Sequence, residues 1–152
     1  MQAMTLCPPQ DPAAPLIFII NAASGRSDAE TKRSVIEQAL QAAGRTGELR
    51  FTRPADLPRV AREASATALA TRSAVVAVGG DGTINAVAQA AHAAGCAMGV
   101  VPLGTFNYVA RTHGISTEPA EAAQMLIHAV PVPVQVGTVN DRVFLVNASL
   151  GL

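Results

Sequence analysis

The apolar run from Ala74 to Val78 leads directly into Gly79-Gly80-Asp81-Gly82-Thr83, which opens an apolar-periodic segment beginning at Ile84. This order of strand, glycine turn and helix constrains the fold more than any other stretch, because a buried strand feeding a helix is the half-unit of a parallel sheet. Glycines let the backbone reach φ > 0 and let a ligand approach without meeting a Cβ. The helix that follows offers unpaired N–H groups and the positive end of its dipole. Such a turn suits a phosphate. The carboxylate of Asp81 would repel that phosphate unless a divalent cation or a transferable proton lies between them, so the loop suggests chemistry as well as binding.

The same grammar recurs along the chain. Leu16 to Ile20 reads as a buried strand, and Ser27-Asp28-Ala29-Glu30 as a capping box opening a helix that Gly44 closes, with Val35, Ile36, Ala39, Leu40 and Ala43 as its apolar stripe. Glu48 to Thr52 is a shorter strand, after which Asp56 caps a helix through about Ala70 with Val60, Ala64 and Leu69 inward. A helix from Thr83 to Ala94 stops at Gly95, and Ala97 to Val101 is the next strand. A second glycine turn, Pro102-Leu103-Gly104-Thr105, leads into a helical stretch near Thr105 to His113; Thr117 then caps a helix that starts with Pro119 and ends near His128. Four βα units predict a three-layer α/β/α domain over residues 16–129, with a parallel sheet and ligand loops at the carboxyl ends of its strands.

The two ends of the chain read differently. Met1 to Pro15, with prolines at 8, 9, 12 and 15, is expected to be a disordered arm. Beyond His128 the pattern becomes β-rich: Val132 to Val139 and Arg142 to Asn147 flank Asn140-Asp141, a tight hairpin turn. Residues 130–152 are therefore expected to form the first hairpin of a β-rich second domain whose remainder is absent. Its open strand edges would favour a homodimer.

Composition excludes some classes of function. Formal net charge is zero, so nothing in the bulk balance points to nucleic acid. Between Arg26 and Arg72 nine basic side chains face six acidic ones, an excess of three that favours an anionic membrane surface or a polyphosphate. Cys7 and Cys96 have no metal-like spacing and read as reduced thiols. The early apolar run Leu16 to Ile20 is too short for a signal segment or a membrane span, so a soluble cytoplasmic protein is expected, with peripheral contact at the inner membrane face.

Three loops converge on the carboxyl edge in this scheme: Asn21-Ala22-Ala23-Ser24-Gly25-Arg26, Gly79 to Thr83, and Leu103-Gly104-Thr105-Phe106-Asn107. Together they resemble the catalytic domain of diacylglycerol kinases and related sphingosine, ceramide and bacterial lipid kinases, itself akin to NAD kinase and 6-phosphofructokinase. The glycine string is shared by all those relatives, whereas Pro102 to Asn107 followed by Ala110-Arg111 matches the lipid-kinase pattern. Ala22 replaces the proline usual in the first loop, and Ala86 and Tyr108 stand where the family commonly has acids.

The resemblance implies ATP across these loops, the Gly79 to Gly82 backbone against its phosphates, and Asn21, Ser24, Gly25, Arg26, Thr83, Asn85, Gly104, Thr105 and Asn107 as its neighbours. It also implies Mg²⁺ bridging the phosphates, with Asp81 as the catalytic residue holding the metal directly or through water. A general-base role for Asp81 is the rival. The acceptor implied is a lipid alcohol such as diacylglycerol, and the family's acidic base comes from the second domain, so this chain alone would be inactive. An NAD kinase-like enzyme and a non-catalytic nucleotide-binding module are the alternatives. Simpler roles stand beside these: Asn85 can bond local backbone, Arg111 can pair on the surface, His92, His113 and His128 can complement helix C-termini, and Met98 and Phe106 are expected in the core.

Overall fold

All six residues of β1 (Leu16–Asn21) are buried, as an unbroken apolar run requires of a strand covered on both faces. The computed structural model describes residues 7–23 and 28–145. β1 pairs in parallel with β2 (Gly47–Thr52) on one side and β3 (Ala74–Gly79) on the other, and β3 pairs with β4 (Ala97–Pro102), giving the order β2-β1-β3-β4. The α/β reading of the sequence is thus confirmed. Because side chains alternate along a strand, Phe18 and Ile20 face α1 (Ala29–Ala43), while Ile17 and Ile19 face α2 (Leu57–Ala70) and α3 (Asp81–Ala94). Three alanines of α2, Ala61, Ala64 and Ala68, are fully buried, and their small side chains let the helix lie close to the sheet.

Helix ends follow local chemistry with some corrections. Asp28 is the N-cap of α1, its carboxylate accepting from the Thr31 N–H at 2.8 Å, and Gly44 closes the helix at φ 62°. Ser27, expected to share that cap, lies outside the described residues. Asp56 holds the N-cap position of α2 as expected but makes no side-chain capping bond: Pro54–Asp56 form a 3₁₀ turn that runs into α2, and the Asp56 carboxylate pairs instead with Arg53 at 2.9 Å. α3 begins two residues earlier than expected, at Asp81. α4 (Tyr108–Thr112) is shorter than the predicted 105–113, because Asn107 just before it sits at φ 54° and interrupts helical geometry. Helix α5 (Pro119–His128) completes the α1 layer; its N-cap position is Glu118 rather than Thr117.

Part of the expected loose arm is anchored. The Asp11 N–H donates to the Arg72 carbonyl at 2.8 Å and the Ser73 hydroxyl to the Pro15 carbonyl at 2.7 Å. Met1 to Leu6 lie outside the described residues. At the other end, β5 (Gly137–Val139) and β6 (Arg142–Phe144) form the antiparallel hairpin across Asn140 and Asp141, whose φ values of 49° and 62° are the left-handed pair a type I′ turn needs. β5 is shorter than the predicted Val132 to Val139, since Pro131 and Pro133 remove ladder donors from the segment before it.

Candidate functional site

The order β2-β1-β3-β4 makes the chain leave β1 toward one edge and β3 toward the other, so a crevice opens between their carboxyl ends, at Asn21 and Gly79. Buried side chains bridge it. Asn21 Nδ2 donates to Thr83 Oγ1 at 3.4 Å, Asn21 Oδ1 accepts from the Ala23 N–H at 3.0 Å, and Lys32 Nζ donates to the Asn21 carbonyl at 3.0 Å. Burial pulls the Lys32 ammonium below its ordinary pKa, opposed by the nearby Asp28 charge. Sequence reasoning missed Lys32. The available signal was its place four residues before Ile36 on the apolar stripe of α1, where the one lysine of the chain must turn inward.

The two glycine loops prove to be one structural unit. A Cβ on Gly104 would lie 2.7 Å from the Gly80 Cα, so backbone packs on backbone there. The Leu103 N–H donates to the Gly79 carbonyl at 2.8 Å, and Asn107 Oδ1 accepts from the Gly104 N–H at 2.9 Å. A Cβ on Gly79 would meet the Thr83 side chain at 2.9 Å. Asp81 spans both loops: its Oδ2 accepts from the Tyr108 N–H and its Oδ1 from the Val109 N–H, each at 3.0 Å. The carboxylate thereby satisfies two donors at the start of α4. It keeps further lone pairs on both oxygens.

Gly82 stands apart from this packing. Nothing lies within 4 Å of where its Cβ would be, and its φ is not left-handed, so no neighbour among the described residues demands glycine there. Gly80, the N-cap of α3, supplies no side-chain acceptor, so among the described residues the first turn of α3 has no side-chain cap. Gly82 and Asn85 line an open groove of about 380 Å³ with Pro58, Ala86, Gln89 and Arg142. Gln89 is occupied with the hairpin, donating from Nε2 to the Asp141 carbonyl at 3.3 Å and accepting from the Val143 N–H at 2.6 Å.

The remaining predicted residues divide by exposure. Thr105 on the second loop and Arg111 in α4 are exposed, whereas Asn107 and Thr83 are buried in the bonds already described. Ser24, Gly25 and Arg26 lie outside the described residues. Phe106 corrects an expectation: it is not in the core but 61% exposed, stacked on Tyr108. Among the described residues no three His, Cys, Asp or Glu side chains come together as a metal cage, so a cation here would depend on Asp81 and on oxygens brought by a ligand.

Comparison with known proteins accords with this arrangement. The profile of the family described as "Diacylglycerol kinase catalytic domain" matches residues 15–139. A protein of Serratia proteamaculans named "Probable lipid kinase YegS-like" is 34% identical over 145 residues, covering 92% of this chain and 46% of that protein. A protein of Bacillus subtilis named "Diacylglycerol kinase" is 34% identical over 137 residues, covering 84% of this chain and 43% of the relative. A crystal structure described as a diacylglycerol kinase from Bacillus anthracis superposes with a TM-score of 0.75 at 25% identity, covering 86% of this chain and 45% of that one. The chain thus spans less than half the length of these relatives. With the profile running through all four strands of the sheet and both glycine loops, the chain belongs to the diacylglycerol kinase catalytic domain family.

Proposed function

We propose that this chain is the nucleotide-binding half of an enzyme that transfers a phosphoryl group from ATP to a lipid hydroxyl such as that of diacylglycerol. The observation that carries the reading is the uncapped first turn of α3, held at the sheet's switch point by two interlocked glycine loops, with open space over Gly82. In this reading the backbone of Gly80 and Gly82 receives the phosphates. Asn21 and Thr83 brace the crevice, Asn107 and Gly104 hold the second loop in shape, and Ser24, Gly25, Arg26, Asn85 and Thr105 add polar contacts to the nucleotide.

One carboxylate beside a phosphate site fits Mg²⁺, which usually keeps several waters and takes one or two carboxylates plus phosphate oxygens. When bound, the cation would neutralise charge on the transferring group. Asp81, anchored by the Tyr108 and Val109 N–H groups, would hold it through water. The base for the lipid hydroxyl is assigned to a region outside this chain. In this reading the lipid is met by peripheral contact at a membrane surface; no described helix is long and apolar enough to cross a membrane.

Phosphorylation of diacylglycerol by the whole protein tests the proposal. Asp81→Ala and Gly82→Asp are each expected to abolish activity while the circular dichroism spectrum is retained; undiminished turnover in either variant would refute the site. Phosphorylation of NAD in place of diacylglycerol would favour the NAD kinase-like alternative. The replacement of two family acids by Ala86 and Tyr108 favours a second reading, a non-catalytic nucleotide-binding module. That reading predicts ADP binding in calorimetry with no turnover of any lipid.

A further inference from the structure

Cys96 immediately precedes β4 and Ser73 immediately precedes β3, so the register of Ala74 with Ala97 sets these two residues side by side, about 5 Å apart across the strands. This is the amino end of the sheet, opposite the glycine loops. The N-terminal arm is tied to the same spot: the Asp11 N–H donates to the Arg72 carbonyl, the Asp11 carboxylate faces the Arg72 guanidinium at 3.6 Å, and the Ser73 hydroxyl donates to the Pro15 carbonyl. Cys7 lies four positions before Asp11, 11 minus 7, a span of at most about 14 Å. Pro8, Pro9 and a bond from Gln10 Nε2 to the Pro8 carbonyl at 3.1 Å stiffen that span. Cys96 is within its reach, and the Cys7 sulfur is near enough for its charge to oppose ionisation of Cys96. Both cysteines are free thiols and half-buried.

Cys96 packs against the core layer formed by α2 and α3. Beside its sulfur stands the Ser65 hydroxyl of α2, wholly buried and without a hydrogen-bond partner of ordinary length among the described residues. We propose that Cys7 and Cys96 form a reversible disulfide that fastens the N-terminal arm across the amino end of the sheet, with a low-molecular-weight disulfide such as oxidised glutathione as the oxidant. Burial pushes the Cys96 thiol up, opposed by the Ser65 hydroxyl, so the first attack falls to Cys7. The Cys7 thiolate attacks one sulfur of the glutathione disulfide, whose S–S bond breaks and releases one glutathione thiolate. Cys96 then loses its proton and attacks the Cys7 sulfur of the mixed disulfide, releasing the second. Two protein thiols are oxidised, one small disulfide is reduced to two thiols, and the two protein protons end on the released thiolates. Ser65 is placed to donate to the Cys96 thiolate as it forms. The bond closes a loop that contains β1, β2 and β3 with α1, α2 and α3, and so restrains the unfolded chain. Both sulfurs lie away from the nucleotide loops, and the bond does not depend on the nucleotide reading.

Treatment of the reduced protein with oxidised glutathione tests this. Peptide mapping by mass spectrometry is expected to join Cys7 to Cys96 within one molecule, with the loss of two hydrogens. Closure should be at least about tenfold slower in denaturing urea, where the fold no longer holds the arm at the sheet. The oxidised protein should melt about 10 °C above the reduced one. Cys7→Ser, a change on the arm and outside the core, is expected to keep the melting temperature of the reduced protein and to lose the gain on oxidation. A glutathione adduct on Cys7 that never closes, a disulfide that joins two copies, or closure as fast in urea as in buffer would each overturn the proposal. Closure without a rise in melting temperature would overturn the fastening of the arm.

Discussion

Four glycines in the two loops look alike in sequence and differ in what they do. Gly79, Gly80 and Gly104 are required by close neighbours, Thr83 in the first case and each other's backbone in the second. Gly104→Ala should therefore cost about 1–3 kcal/mol of stability, because the obstructing atom is a main-chain Cα that cannot rotate away. A shift of the urea midpoint to lower concentration is the expected result. Gly82→Ala should behave in the opposite way. With open space around it in a helical turn, alanine should raise stability by up to about 1 kcal/mol, yet ADP binding should weaken at least about tenfold if a phosphate approaches that backbone. Increased melting temperature with unchanged ADP affinity would remove Gly82 from the site. This split between glycines was not legible in the sequence, where all four present the same lack of a side chain; it depends on which loop touches which across the sheet edge. The inward turn of Thr83 and the outward turn of Phe106 were hidden for the same reason.

At the scale of elements, the helices were read well where their ends are set by local chemistry and poorly where tertiary contacts set them. Gly44 and Gly95 close α1 and α3 in the left-handed conformation that glycine tolerates, so their sequence signal was direct. The start of α4 depends instead on a carboxylate 27 residues away in sequence, Asp81, which no local window contains. The Asp28 cap yields a pH prediction. Hydrogen bonding from the Thr31 N–H holds its carboxyl below the ordinary value of 3.8 in the folded state. Its stabilising effect is therefore complete above that value and fades as the pH falls through the lower folded value. Asp28→Ala should lower the urea midpoint at neutral pH and approach the parent protein in acid, once the Asp28 carboxyl is protonated in the folded state. A difference that stays constant between the two conditions would show that the charge of Asp28 plays no part in the cap.

Across the whole molecule, the four-strand body and the small hairpin are stabilised on different terms. The body buries both faces of its sheet, whereas an isolated two-stranded hairpin is marginal in water and here leans on α3 through Gln89. The Val143 amide should exchange with solvent well before those of β1, and Gln89→Ala should speed that exchange by about tenfold, with β1 amides unaffected. The βα order of the body was legible because each unit announces itself by a change of hydrophobic period, from buried run to helical stripe. The extent of β5 was less so, since alternating Val and Pro mimics a strand in hydrophobicity while lacking its donors.

The central position of β1 has a consequence during synthesis. Among the described strands it leaves the ribosome before the others, but it needs β3 beside it, and 58 residues separate Asn21 from Gly79, 79 minus 21. At roughly 5–20 residues per second, that leaves Leu-Ile-Phe-Ile-Ile without its second neighbour for about 3 to 12 seconds in each round of translation. The stretch that makes the folded sheet secure is thus also an adhesive segment of the nascent chain, and a chaperone that shields short apolar runs would find a site there.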